Sequence, residues 1–323
     1  MPAVSVLMPV YDAAAYVARA IESILGQTFG NFEFLIYDDG STDGSIQIVE
    51  GYARRDPRIR LSRKPHAGYA VWLREGVAAA NAPFVARMDA DDVARPTRLL
   101  RQVEFLERHP DCCVVGACVL RIDPDGQPIR EFGVPLDHDS IERALLTGRG
   151  EALPHPAAML RRDALLAAGS YRSEYEPAED LELFLRLAEH GRLANLPEVL
   201  LEYRQHIRKT SHQREMEQRR MVARILQEAR ARRGLDPSRD CEPPAFASNT
   251  PAIDYWCEWV RQSVIGGNLA TARKYAFAVL HQEPRRLRSW QLLLRALLGV
   301  RVEPLKRWLA RRPPVTRHRA VGE

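Results

Sequence analysis

The chain has 323 residues with 46% hydrophobic and 28% charged side chains, close to the average of ordinary packed proteins, which excludes disordered, collagenous and disulfide-scaffold classes. Its length suggests two units, a main domain and an appendage. The net charge of +5 is uneven: residues 285–319 hold eleven Lys or Arg against the single acid Glu303, a local +10 that leaves the remainder near −5.

In chain order, Val4 to Pro9 reads as a strand and Ala14 to Leu25 as a helix, with Tyr16, Ala20, Ile21, Ile24 and Leu25 at amphipathic spacing. Phe32 to Tyr37 is a second strand. It stops at Asp38-Asp39-Gly40-Ser41-Thr42-Asp43, whose Ser, Thr and Asp can cap a helix running to Tyr52. Ile59 to Ser62 is a short third strand, Tyr69 to Ala80 a helix, and Phe84 to Met88 a fourth strand that also ends in acids, Asp89-Ala90-Asp91-Asp92. Pro96 opens a helix to His109, and Cys112 to Ile122 forms a long buried strand before the turn Asp123-Pro124-Asp125-Gly126.

This rhythm of strand and helix is that of a mainly parallel α/β sheet. Beyond it the pattern turns mixed. Strand candidates at Ala157 to Leu160 and Val199 to Tyr203 alternate with helices at Ser140 to Leu146, Asp163 to Ala168 and Asp180 to His190. After Ser211 only helical patterns remain, Gln213 to Arg233 and Asp254 to Leu309, with a Pro- and Ser-bearing linker from Gly234 to Pro251. The expected division is therefore 1–210 and 211–323. Within the helical part Trp256, Gly267, Ala272 and Pro284 have the relative spacings of one tetratricopeptide-like hairpin.

No run of about 18 apolar residues suggests a membrane span, and no signal peptide is visible, so the expected location is cytoplasmic. Cys112, Cys113, Cys118, Cys241 and Cys257 form an odd set without a C-x-x-C pair, and read as buried free thiols. The strongest chemical signal is a pair of acidic clusters at the carboxyl ends of two strands, where open α/β sheets bind ligands in a crevice. Acids after the second strand can accept hydrogen bonds from a base or ribose. Those from Asp89 to Asp92 are hard oxygen donors suited to Mn²⁺ or Mg²⁺, although capping alone would explain either cluster separately.

Four segments in order, Ser5-Val6-Leu7-Met8-Pro9-Val10-Tyr11-Asp12, Tyr37-Asp38-Asp39-Gly40-Ser41-Thr42-Asp43, Met88-Asp89-Ala90-Asp91-Asp92 and Ala178-Glu179-Asp180, resemble the family 2 glycosyltransferases over residues 1–212. The resemblance implies a GT-A fold, a Rossmann-like mixed and mainly parallel sheet flanked by helices, here with a helical C-terminal extension. It further implies a nucleotide-diphospho-sugar donor, a UDP-sugar first among them, a divalent cation, and transfer with inversion to a saccharide or lipid-linked acceptor in polysaccharide or glycoconjugate assembly. Carried onto this chain, it gives Pro9, Tyr11 and Asp12 to the nucleoside and Asp39 to the base. Asp91 becomes the main metal ligand, Asp89 a contact to the ribose or cation, and Asp92 a cap of the following turn. Asp180 becomes the catalytic base, Glu179 a shaper of the acceptor pocket, and His206 a group reaching back to the metal or diphosphate.

Two departures accompany the match. Arg74, before Gly76, stands where many members carry an Asn, and it either binds diphosphate or a sugar carboxylate or is simply solvated. Gly148 and Gly150, bracketing Arg149, resemble a flexible loop over the acceptor. Arg204, Lys209 and Ser211 hold phosphate or lie on the surface. The basic end of the chain suits either a solvated helical hairpin or peripheral contact with the inner face of a membrane, and no nucleic-acid motif accompanies it. A sugar nucleotidyltransferase and a non-catalytic nucleotide-sugar scaffold are the alternative readings.

Overall fold

Alternation along the strands decides the layers. In the computed structural model, which describes residues 1–207, 214–236 and 251–299, β1 (Val4–Val10) sends Leu7 to one face of the sheet and Val4, Val6, Met8 and Val10 to the other. β2 (Phe32–Asp38) repeats the division, with Leu35 and Tyr37 beside Leu7 and with Phe34 and Ile36 opposite. The Leu7 face is covered by α3 (Tyr69–Ala79), α5 (His138–Leu145), α6 (Arg162–Ala167), α7 (Glu179–Leu187) and α8 (Glu215–Arg232). α1 (Val17–Leu25), α2 (Ser45–Ala53) and α4 (Arg98–Arg108) cover the other. Gly76 of α3 lets the helix lie close to the sheet, because a Cβ there would stand 3.0 Å from the Leu7 methyls.

The remaining strands are β3 (Ile59–Arg63), β4 (Phe84–Arg87), β5 (Val93–Ala94), β6 (Cys112–Ile122), β7 (Pro128–Phe132), β8 (Met159–Arg161) and β9 (Arg192–Arg204). They run in the order β3-β2-β1-β4-β8-β6-β9-β5, with β7 attached to β6. The first four are parallel to one another, β8 enters antiparallel between β4 and β6, and the long β6–β9 ladder is again parallel. The sheet is mixed and, by length of ladder, mainly parallel, as expected for a GT-A core. One consequence matters for function: the carboxyl ends of β1, β2 and β4 lie side by side.

Several boundaries depart from the sequence expectation for identifiable reasons. β9 spans thirteen residues, not Val199 to Tyr203 alone, because a register shift around Ala117 and Cys118 absorbs Pro197 within the ladder. β5 has two residues and β7 five, too few for a period to register. Gly148, expected in a flexible loop, lies in the turn after α5: its φ is +80°, its N–H reaches the Leu145 carbonyl, and a Cβ there would stand 3.2 Å from Val222 of α8.

The expected cut near residue 210 moves as well. The chain divides after Thr250, since Val222, Ile225, Leu226 and Ala229 of α8 bury themselves in the core of the first unit. The second unit, from Pro251, is described as three helices, α9 (Ala252–Ile265), α10 (Leu269–Gln282) and α11 (Leu287–Leu298). Trp256 lies on α9, Gly267 turns the chain with φ +77°, Ala272 is fully buried on α10, and Pro284 follows that helix. Trp259 meets Tyr275 edge-on at 4.8 Å across the hairpin. Lys209, Ser211, Cys241 and the basic residues beyond Gly299 lie outside the described residues. Cys112, Cys113, Cys118 and Cys257 are buried free thiols, and burial pushes Cys112 and Cys113 up to about 11 and about 12. Among the described residues no helix is long and apolar enough to cross a membrane.

Candidate active site

The loop after β1 is clipped to the loop after β2. Asp12 takes a left-handed backbone, φ +43°, and its Oδ1 accepts from the Thr42 amide at 2.8 Å. The amides of Asp12, Ala13 and Ala14 donate to Ser41 Oγ, Ser45 Oγ and Asp43 Oδ2 in succession. Thr42, Asp43 and Ser45 therefore do more than start α2: they hold the segment that the sequence assigns to the nucleoside. Within it Pro9 stays in the ladder opposite Tyr37, whereas Tyr11 is half-exposed with its ring 4.6 Å from His66.

Asp39 is buried and surrounded by donors. Its carboxylate accepts from the amides of Ala67 at 2.7 Å and Gly68 at 3.2 Å, from Trp72 Nε1 at 2.5 Å, and faces His66 Nδ1 at 2.9 Å. Four partners match the about four lone-pair positions of a carboxylate, so Asp39 first of all shapes the turn into α3. Gly68 is required there, because its φ is +92° and a Cβ would come within 2.8 Å of Glu176 Oε2. The next residue, Tyr69, donates its hydroxyl to Glu179 Oε2 at 2.8 Å, which ties the donor loops to the start of α7.

At the end of β4, Asp89, Asp91 and Asp92 each offer an oxygen within 4.8 Å of the others. His206, which follows β9, brings Nε2 to 2.8 Å from Asp91 Oδ2 and stacks its ring on Tyr16 at 5.5 Å. The two sequence-predicted metal residues therefore meet across 115 positions of chain. Hard carboxylate oxygens beside an imidazole are a donor set that suits Mn²⁺ or Mg²⁺. Asp92 does not cap the following turn as expected. It is fully buried, and its Oδ1 accepts from the Arg204 amide at 2.8 Å, fastening β9 to the acidic loop. Arg204 is equally committed: its guanidinium donates to the carbonyls of Asp91, Asp123 and Pro124, so it is neither a phosphate holder nor a surface residue.

The remaining acids, Glu179 and Asp180, begin α7. Glu179 is buried and Asp180 half-buried, with Asp180 Oδ1 accepting from the Leu181 amide at 2.7 Å. Burial raises the carboxyl of Asp180 above its ordinary range; the Leu181 amide and the charge of Arg87 pull it back, while Asp89 pushes it further up. Burial and the neighbouring Asp180 raise Glu179 too, against the hydrogen bond from Tyr69. Arg87 is the link between the two acidic groups. This buried guanidinium pairs with Asp89, and its charge also acts on Asp180, His155 and Tyr171. It is itself held in place from below, where the fully buried Arg98 donates to the Arg87 carbonyl at 2.6 Å.

Sequence reasoning missed Arg87, although a readable signal was present: a cation inside the buried run Phe84-Val85-Ala86-Arg87 needs a carboxylate nearby. It also missed His155, whose Nε2 lies 2.8 Å from the Tyr171 hydroxyl and whose Nδ1 lies 3.8 Å from Glu179. No local pattern marks that histidine. Arg74 stands exposed on α3 with no hydrogen-bond or ion-pair partner among the described residues.

Comparison with known proteins identifies the family and the fold. The family model for glycosyl transferase family 2 matches residues 5–167. The chain belongs to that family. The putative glycosyltransferase EpsE of Bacillus subtilis is 36% identical over 211 residues, 63% of this chain and 73% of that protein. Among solved structures, S. aureus TarS in complex with UDP-GlcNAc superposes with a TM-score of 0.58 at 18% identity, covering 92% of this chain and 80% of that one. A mannosyltransferase from Pyrobaculum calidifontis in complex with GDP-Man and Mn²⁺ gives 0.53 at 18% identity over 96% and 83% of the two chains. At that identity both structures speak to the fold, which is GT-A. This glycosyltransferase thus carries acidic groups at the carboxyl ends of β2 and β4.

Proposed function

We propose that the enzyme is a metal-dependent, inverting transferase that moves a sugar from a nucleotide-diphosphate sugar, a UDP-sugar first, to a hydroxyl of a saccharide or lipid-linked acceptor in polysaccharide or glycoconjugate assembly. One observation carries the reading. Buried Arg87 pairs with Asp89 of the acidic loop, and the charges of both Arg87 and Asp89 act on the Asp180 carboxyl, which supports one shared site for the two acidic groups. Tyr11 offers the base a half-exposed ring, and Asp39 meets an N–H of the base by exchanging His66, its most exposed donor at 62%. Pro9 and Asp12 keep that loop in register.

Asp91, with Asp89 and His206, would hold a divalent cation that supplies positive charge for the departing diphosphate. Asp180 takes the proton of the acceptor hydroxyl as its oxygen bonds to the anomeric carbon and the bond to the diphosphate breaks, inverting the configuration. One base suffices for this displacement, and Glu179 serves instead as a wall of the acceptor side, held by Tyr69. A donor-hydrolysis screen over UDP- and GDP-sugars with Mn²⁺, Mg²⁺ or chelator tests the donor and the cation together; undiminished turnover in chelator removes the cation from the scheme. Asp180→Asn is expected to lower transfer by about 10²–10⁴-fold while UDP binding by calorimetry is kept. Transfer retained in that variant, or a product of unchanged anomeric configuration, would overturn the assignment.

A further inference from the structure

The second unit carries a surface that the transfer chemistry leaves unused. α11 buries Ser289, Leu292, Leu293 and Ala296 against its neighbours. Its other side is apolar too: Leu287 is 72% exposed, Trp290 54%, Leu294 57%, Leu297 49% and Leu298 62%. At 100° per residue these five positions fall on one stripe opposite the buried one. Such a row on a water-facing helix marks a contact surface.

Its surroundings are cationic. Arg285 and Arg286 stand exposed just ahead of the helix, Arg286 sharing the single carboxylate of Glu283 with Arg288, and Arg295 lies on its flank. A twelve-residue helix is about 18 Å long, too short to cross a hydrocarbon core of about 30 Å but long enough to lie in its boundary.

We infer that the Leu287, Trp290, Leu294 and Leu298 stripe of α11, with Arg285, Arg286 and Arg295 beside it, docks this enzyme in plane onto an anionic phospholipid bilayer. Leucines enter the acyl boundary, the Trp290 ring sits at headgroup level while its Nε1 stays satisfied by the Pro284 carbonyl at 2.8 Å, and the arginines meet lipid phosphates. The inference stands independently of the donor and the cation proposed above.

The full chain is floated with vesicles of phosphatidylglycerol and phosphatidylcholine, and with phosphatidylcholine alone. Binding is expected on the anionic vesicles at low ionic strength, at least about tenfold weaker on the neutral ones, and reduced by about 0.5 M salt. Leu294→Glu combined with Leu298→Glu should lower it by about tenfold or more, with a circular-dichroism melt overlapping that of the unaltered protein. Quenching of tryptophan emission by brominated lipid should fall in Trp290→Phe. No binding to anionic vesicles, or equal binding by the folded double variant, overturns the inference. A dimer in sedimentation velocity that the double variant dissociates, without vesicle binding, assigns the stripe to a second copy instead.

Discussion

Two acidic runs follow two parallel strands, and the protein uses them in opposite ways. After β2, Asp39 faces backbone amides, an indole and an imidazole, so its charge is spent on fixing the turn into α3. After β4, Asp89, Asp91 and Asp92 face one another, and their main external partners are Arg87, His206 and the amide of Arg204. A carboxylate surrounded by N–H donors is a structural clamp, whereas carboxylates converging on one point concentrate negative charge and invite a cation. Strand-end acids look alike in sequence. What separates them is whether the neighbouring loops supply protons or further oxygens.

That contrast can be broken from either side. Asp91→Ala should weaken UDP binding in the presence of Mn²⁺ by about 10–100-fold and leave the melting temperature nearly unchanged, which calorimetry and a thermal melt together read. Asp39→Ala should do the reverse in emphasis: four donors lose their acceptor, at about 1–3 kcal/mol of stability for the most buried of them, so the melt drops by several degrees. Equal effects of the two changes on the melt would erase the distinction.

Glu179→Gln sharpens the picture through pH. Because burial raises this carboxyl in the folded state, the fold binds its proton more tightly than the unfolded chain does, and stability is lost as pH rises from about 4.5 through the raised value. The amide variant cannot suffer that loss, so its melting temperature should gain on the unaltered protein between about pH 5 and 9; a difference independent of pH would refute the buried-acid account. Asp38→Asn carries the smallest expected change. Its Oδ1 is buried with no hydrogen-bond partner among the described residues, so removing the charge should shift stability by less than about 1 kcal/mol, in either a urea or a thermal titration.

The legibility of this molecule in its sequence follows the range of the interactions. β1, β2, α3 and β6 were readable because each is a periodic apolar segment bounded by local turn chemistry, and the structure gives Cys112–Ile122 with the expected ends. β5, β7 and most of β9 were not, since a two-residue strand or a strand containing Pro197 exists only because a partner ladder holds it. Helix α8 was assigned to the appendage because nothing local distinguishes a helix that covers one core from a helix that begins another. In the site, the positions of Asp89 and Asp91 after β4, of Asp180 at the start of α7 and of His206 after β9 were legible through motif order. Arg87 was legible in principle from its buried run, His155 meets partners 16 and 24 positions away that no local pattern marks, and the roles of Asp92 and Arg204 depend on contacts between residues 80–113 positions apart.

The double tie of Arg204, amide to Asp92 and guanidinium to the carbonyl of Asp91, has a bearing on how such an enzyme diversifies. It pins the two ends of a segment of more than one hundred residues to a single point, so insertions in the intervening loops change the contour between them without displacing the acids. New loops can thus be grafted between β6 and β9 while the acidic loop keeps its shape, whereas replacing Arg204 itself would unmoor both ends at once.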